Sequence, residues 1–422
     1  SEVIFIDVPS DENAVPDFDL ATERYSVFRE LADKGNVLSS MSLKSGGIAE
    51  AVALMSFGNE IGFSYIDGTA DDRLWKPGYG CIIAEVDCKT TFPVIGKTIT
   101  DKVIRIKDKK YRIEELLDSY TGKLEDVFPT KTIKSAGVPI DVKYKADGRI
   151  AASLKIARPR VIIPVFPGTN CEYDSAVAFE KAGALVETMI FRNLSAEDVH
   201  ESVDRLAGLI HKSNIMMIPG GFSAGDEPEG SGKFIANVFR NKFLEEAVMD
   251  LLDNRDGLVL GICNGFQALV KLGLLPYGEI RAMGDDSPTL TFNEIGRHVS
   301  CMVRTKISSN KSPWLSMVET GDIHTIPVSH GEGRFVADED HFKEMIKNGQ
   351  IATQYVDFNG VPSYDIKFNP NGSMHAVEGI TSPDGRVFGK MGHSERIGAN
   401  VCINVPGSKD QRIFESGVRY FG

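Results

Sequence analysis

An α/β fold is what this sequence predicts: a mostly parallel sheet with helices on both faces, preceded by a smaller α+β domain. Three observations carry it. From Val161 onward, apolar runs of strand length alternate with amphipathic runs of helix length. The first 130 or so residues mix short strands and helices without that alternation. Between them, residues 131–159 carry turn residues and little helical periodicity. The expected domains are therefore 1–157, including a linker with room for one edge strand, and 158–422.

In the first domain Val3–Asp7 reads as a strand and Ala21–Lys34 as an amphipathic helix. Gly46 and Gly47 open a second helix. The runs IGFSYI (61–66) and CIIAEV (81–86) read as buried strands, with a turn at Pro77, Gly78 and Gly80. Lys107, Lys109, Lys110 and Arg112 read as a solvated helix start. Asp7, Lys44 and Ser45 are open to a phosphate- or metal-contact reading, although such residues are usually structural.

In the second domain VIIPVF (161–166) is a strand. PGTNCEYD (167–174) turns into the helix 175–183, and ALVETMI (184–190) is the next strand. Helix 199–212 precedes the strand and turn NIMMIPGG (214–221), and helix 243–254 precedes the strand GLVLGIC (257–263). Ligands of such sheets bind beyond the carboxyl ends of the strands. Three turns leave strands there: Pro167–Cys171, Gly220–Asp226, and Cys263.

The chain has 422 residues, 42% hydrophobic and 25% charged, with a net charge of −12. The charge disfavours a nucleic-acid partner, because phosphate binding requires a basic face. No apolar run approaches the roughly 20 residues of a membrane span, and SEVIFIDVPSDE does not read as a signal peptide. The opening Ser1 in place of methionine suggests a piece of a longer chain. Six cysteines without CxxC spacing predict neither a zinc site nor a disulfide framework, which fits a reducing, cytoplasmic setting.

One cysteine stands out. In Gly261-Ile-Cys263-Asn-Gly265-Phe-Gln267, small residues flank a nucleophile between a strand and a helix. That is the pattern of a nucleophile elbow. The helix N-terminus favours the thiolate, and the Asn264 amide faces an oxyanion formed beside the sulfur. The ordinary reading of a strand-end cysteine is a small buried hydrophobe; the glycines and the partners below outweigh it. The candidate base is His393 in GHSER (392–396). If that segment is extended, Glu395 lies on the same side and steadies the imidazole. His200 and His211 fall on a surface helix, and His341 begins a charged one. Gly220 and Gly221 are open to an oxyanion role. Cys171 is the rival nucleophile, disfavoured by the adjacent Glu172.

Together these residues resemble the class I (triad) glutamine amidotransferases, whose fold is flavodoxin-like. PGTNCEYD, GGFSAGDE (220–227), SHGEGRF (329–335) and GHSER narrow the resemblance to the glutaminase domain of the phosphoribosylformylglycinamidine synthase family, over about 158–422. The stretch SLKSGGIAEAV (42–52) resembles that family's synthetase region, in a domain of aminoimidazole ribonucleotide synthetase C-terminal type. The resemblance thus implies the C-terminal portion of the large single-chain form. It implies that Cys263 attacks glutamine, His393 moves the proton, Glu395 orients His393, Gly221, Phe222 and Asn264 hold the oxyanion, and Gln267 binds substrate. A γ-glutamyl thioester is hydrolysed and ammonia passes to the remaining synthetase region. There ATP, with Mg, drives conversion of formylglycinamide ribonucleotide to the amidine. No metal or cofactor is implied for the glutaminase step. One departure is Ser394, where the family has proline. With no Walker-type loop, the ATP-dependent step is expected to need regions beyond this chain. The alternatives are a cysteine hydrolase acting on another amide, and a docking module silent without the rest of the synthetase.

Overall fold

The computed structural model describes residues 1–66, 71–132, 137–148, 150–225 and 230–422. Two compact units divide between Thr130 and Lys131.

The first unit is a seven-stranded sheet of β1 (Glu2–Ile6), β2 (Val37–Ser42), β3 (Gly62–Tyr65), β4 (Ile82–Val86), β5 (Val94–Ile99), β6 (Val103–Ile106) and β7 (Lys109–Arg112). Their order is β2-β4-β1-β5-β3-β6-β7. Only the β3–β6 pair is parallel, so the unit is α+β, as expected. The helix Phe18–Asp33 is started by Asp17, whose carboxylate accepts from Leu20 N–H at 3.0 Å. Helix Gly47–Asn59 buries Ile48, Ala51 and Val52 against the sheet residues Phe63, Tyr65 and Ile83.

One expectation changes here, and one is narrowed. Lys109, Lys110 and Arg112 lie on β7, paired antiparallel with β6 across a tight turn at Lys107, whose φ is 54°. The helix starts only at Ile113. The alternating β-branched residues of Val103-Ile-Arg-Ile give β7 a strand to pair with. Asp7 is an ion-pair partner of Arg73 at 3.3 Å, which gives it a structural part.

The second unit carries the expected sheet. Its strands are β8 (Arg160–Val165), β9 (Leu185–Ile190), β10 (Ile215–Ile218), β11 (Leu258–Ile262), β12 (Thr289–Phe292), β13 (Val299–Ile307), β14 (Ile323–His330), β15 (Glu332–Val336), β16 (Ile351–Tyr355), β17 (Val377–Thr381) and β18 (Val387–Lys390). Nine form one sheet in the order β14-β13-β16-β17-β18-β11-β10-β8-β9, and β12 pairs with β15. From β9 through β18 the strands are parallel. Numbered by their own chain order, those five run 2-1-3-4-5, the flavodoxin-like arrangement. β17, β16, β13 and β14 extend it antiparallel.

Every residue of β10 and β11 is buried, as befits strands covered by helices on both faces. Helices Ala196–Ile210 and Lys242–Asp253 supply part of that cover through Leu206, Ile210, Leu244, Val248 and Leu251. Each is capped, by Ser195 and Asn241 respectively.

Residues 137–148 and 150–157 pack with this second unit. Val142 and Ala152 join its core. Val142 N–H donates to Gln354 Oε1 at 3.0 Å, and Ala152 and Ile156 N–H donate to Tyr420 and Phe421 carbonyls. The anticipated edge strand is a single bridge, Tyr144 to Ser309. The packing border therefore falls earlier than the change in sequence pattern near Arg158. The segment buries only scattered apolar residues, too few to show a period.

Candidate active site

The carboxyl ends of three adjacent parallel strands converge on one place. Ile218 of β10 is level with Gly261 of β11, and Ile262 of β11 with Lys390 of β18. The residues that follow are Gly220, Cys263 and His393.

Cys263 has φ 51° and ψ −106°, a conformation L-residues rarely adopt, and caps the helix Asn264–Leu272. Strain of this kind persists only where the surroundings enforce it. The enforcing contacts are visible. Cys263 N–H donates to Lys390 O at 2.8 Å and Gln267 N–H to Cys263 O at 3.0 Å. A methyl group on Gly265 would stand 1.9 Å from Ile218 O, so the helix leaves the elbow against β10 only because residue 265 has no side chain. The elbow read from the sequence is present, with its sulfur at the positive end of a buried helix.

His393 and Glu395 are also together, for a different reason from the one expected. The segment after β18 bends and turns at residues 391–395 and is not extended. The turn brings His393 Nδ1 to 2.6 Å from Glu395 Oε1. Both residues are almost wholly buried. With Nδ1 committed to Glu395, Nε2 is the ring nitrogen left to act as a base. Burial disfavours the imidazolium, but the Glu395 carboxylate and the two neighbouring thiols raise its pKa well above the ordinary histidine value. Burial likewise pushes Glu395 up, and the His393 charge, its hydrogen bonds and Arg396 more than offset this and lower it. The arrangement suits an imidazolium–thiolate pair.

Cys263 and Cys171 are the two thiols that raise the His393 pKa, and Cys263 Sγ itself lies 3.7 Å from Ser329 O. Cys171 Sγ is 3.8 Å from Nδ1, the nitrogen already held by Glu395, and 3.0 Å from Arg396 Nη2. It has ordinary backbone angles, φ −110° and ψ 13°. A methyl group on Gly220 would meet His393 Cε1 at 2.8 Å, Cys171 Sγ at 3.1 Å and Cys263 Cβ at 3.4 Å. Gly220 is thus the space between the three side chains. Both cysteines stand at helix N-caps, and the backbone strain favours Cys263 as nucleophile, with Cys171 as a neighbour. The approach of Arg396 to Cys171 joins residues 225 positions apart and left no trace in spacing.

The oxyanion reading needs one correction. Residues 168–170 and 220–222 form an antiparallel bridge in which Phe222 N–H donates to Gly168 O at 2.9 Å and Asn170 N–H to Gly220 O at 3.2 Å. The Phe222 amide is thereby spent. Among the described residues no backbone bond uses the Gly221 amide, so Gly221 is the donor that the bridge leaves on that side. Asp226 and Glu227, at the end of the same motif, lie outside the described residues. Gln267 is buried with its amide engaged, Nε2 donating to Glu332 O and Oε1 accepting from Asn264. It braces SHGEGRF against the elbow helix. Cys171, His393 and Glu395 offer donor atoms within 4.8 Å of one another; two of the three, His393 and Glu395, are the pair already described.

His330, in SHGEGRF, is buried and held neutral. Burial, then the charges of His393 and His298, push its pKa down to about 3. The unfolded group binds a proton with the ordinary histidine pKa of 6.5, so stability rises with pH between about 3 and 6.5. Lowering the pH from 6.5 to 5 should cost about 2 kcal/mol through this residue alone. Denaturant unfolding at pH 7 and pH 5, for the parent and His330→Asn, checks this; an equal loss in both excludes it.

A flavodoxin-like sheet with an elbow cysteine, a buried His–Glu pair and a glycine, Gly220, packed between them defines the class of triad, cysteine-dependent amidotransferases. The chain belongs to the CobB/CobQ-like glutamine amidotransferase domain family, which it matches over residues 158–421. It is 33% identical over 250 residues to the PurQ subunit of phosphoribosylformylglycinamidine synthase from Methanococcus maripaludis, covering 56% of this chain and 82% of that protein. The Synechocystis PurQ subunit is 35% identical over 234 residues, covering 56% and 90%. A solved structure titled PurLQS from Thermotoga maritima is similar at 25% identity and a TM-score of 0.45, covering 63% of this chain and 100% of that one. The chain is accordingly a glutamine amidotransferase enzyme of purine biosynthesis. Among the described residues no helix is long and apolar enough to cross a membrane.

Proposed function

We propose that this chain hydrolyses glutamine and delivers the ammonia to a phosphoribosylformylglycinamidine synthetase centre in the cytoplasm. The strained Cys263 elbow beside the His393–Glu395 pair is the observation that carries the reading. The thiolate attacks the side-chain amide carbon, and the Gly221 and Asn264 amides receive the oxyanion. His393 gives its proton to the departing nitrogen, and ammonia leaves. Water, deprotonated by His393, then cleaves the γ-glutamyl thioester to glutamate and restores the thiol. The glutaminase step as proposed uses no metal or cofactor. ATP and Mg belong to the synthetase step, in partner regions of the kind that the relatives' name as a synthase subunit suggests.

The test supplies the synthetase region, formylglycinamide ribonucleotide, ATP and Mg, and follows amidine formation with glutamine or with ammonium as nitrogen source. The reading expects glutamine-dependent product that a Cys263→Ala variant loses, while ammonium-dependent product survives. Glutamine-dependent product that persists in that variant would rule it out. Survival of activity in Cys171→Ala separates the two cysteines.

A further inference from the structure

Directly beneath His393 lies a buried ion pair that the chemistry above does not use. Lys390, the last residue of β18, and Glu378 of β17 are both fully buried, with Nζ 3.0 Å from Oε1. The ammonium has three N–H donors, and all three have acceptors: Glu378 Oε1, Gly392 O at 2.9 Å and Ser394 Oγ at 3.0 Å. Glu378 in turn receives Gly392 N–H at 2.7 Å on Oε1, the Thr353 hydroxyl on Oε2, and Met391 N–H on its carbonyl at 3.1 Å. Ser394 Oγ donates to Gln411 Oε1 at 2.5 Å, and Gln411 Nε2 donates to Thr305 Oγ1 at 3.0 Å. The residues on either side of His393 are thus bonded to one pair of charges, and His393 N–H itself is held by Pro327 O at 2.9 Å.

A buried ion pair contributes little net stability, and apolar residues of like volume commonly replace it at no cost. What it supplies is fixed geometry. The turn at 391–395 has no sheet ladder to define it, and the residue between His393 and Glu395 is serine, which leaves φ free where proline would fix it. We propose that Lys390 and Glu378, acting through Gly392 and Ser394, are positioning residues that hold the His393–Glu395 turn in register with Cys263. They hold the backbone by hydrogen bonds where proline would hold it covalently.

The inference rests on the glutaminase reading, so the test separates the two. The full chain is incubated with a glutamine-like chloroketone, and the rate and half-saturation of Cys263 alkylation are measured together with the melting temperature. An unlabelled parent overturns the glutaminase reading and this inference with it. With a labelled parent, the double variant Lys390→Met/Glu378→Leu should melt near the parent and keep its half-saturation. Its maximal labelling rate should fall by about 10²-fold, the effect of a displacement on the order of 1 Å. Adding Ser394→Pro to it should recover a large part of that rate. A folded double variant labelled at the parent's rate overturns the proposal. If the double variant does not fold, Ser394→Ala decides: a lower rate at unchanged melting temperature supports the positioning role, and the parent's rate overturns it.

Discussion

Cys263→Ala should reduce glutamate release from glutamine by at least about 10⁴-fold, the scale on which removal of a triad nucleophile acts. The loss should fall on kcat, because the sulfur forms its bond only during reaction. The fold should survive. Alanine removes one buried sulfur, and the elbow is set by backbone bonds from Cys263 to Lys390 and Gln267, which alanine keeps. Circular dichroism and a glutamine-binding measurement on the variant would establish that the site is intact. Glutamate release close to the parent's would mean that the reaction does not pass through this sulfur, and Cys171 would become the candidate. The contrast with Cys171→Ala matters because both thiols raise the pKa of the same imidazole.

Glu395→Gln should cost about 10³- to 10⁴-fold in kcat, with KM changed much less. The carboxylate accepts from His393 Nδ1 at 2.6 Å, which leaves Nε2 as the base. A glutamine amide in the same place can turn its NH₂ toward Nδ1. The proton then sits on Nε2, and the base is lost. The substitution also removes the main attraction that keeps the imidazolium charged against its burial. The pH profile of Cys263 alkylation should respond: without Glu395 the histidine pKa falls, and the imidazolium-stabilised thiolate persists over a narrower range. An unchanged rate and profile would show that the pair is only structural.

Much of this protein was legible in the chain because the signals are local. A strand, a sharp turn and a helix within ten residues force small residues at fixed positions. Gly261, Cys263 and Gly265 therefore announced the elbow, and Gly265 does sit where a methyl group would collide with Ile218 O. Unbroken apolar runs announced β8, β10 and β11, because strands covered on both faces have no polar side. His393 and Glu395 were paired correctly from their spacing, although a turn, not an extended strand, brings them together.

What the tertiary structure alone decided is what depends on distant partners. A backbone amide acts as an oxyanion donor only if nothing else has taken it, and the bridge from residues 168–170 took Phe222 and left Gly221. Cys171 and Arg396 meet because parallel strands far apart in sequence end at one edge, and Glu378, Lys390 and Ser394 meet across the antiparallel β17–β18 pair and the turn after it. Residues 137–148 and 150–157 go with the second unit because scattered hydrogen bonds and a few buried side chains, Val142 and Ala152 among them, hold them there, and neither has a period. Sequence encodes periodicity and local steric demand directly; it encodes which donor meets which acceptor only through the complete fold.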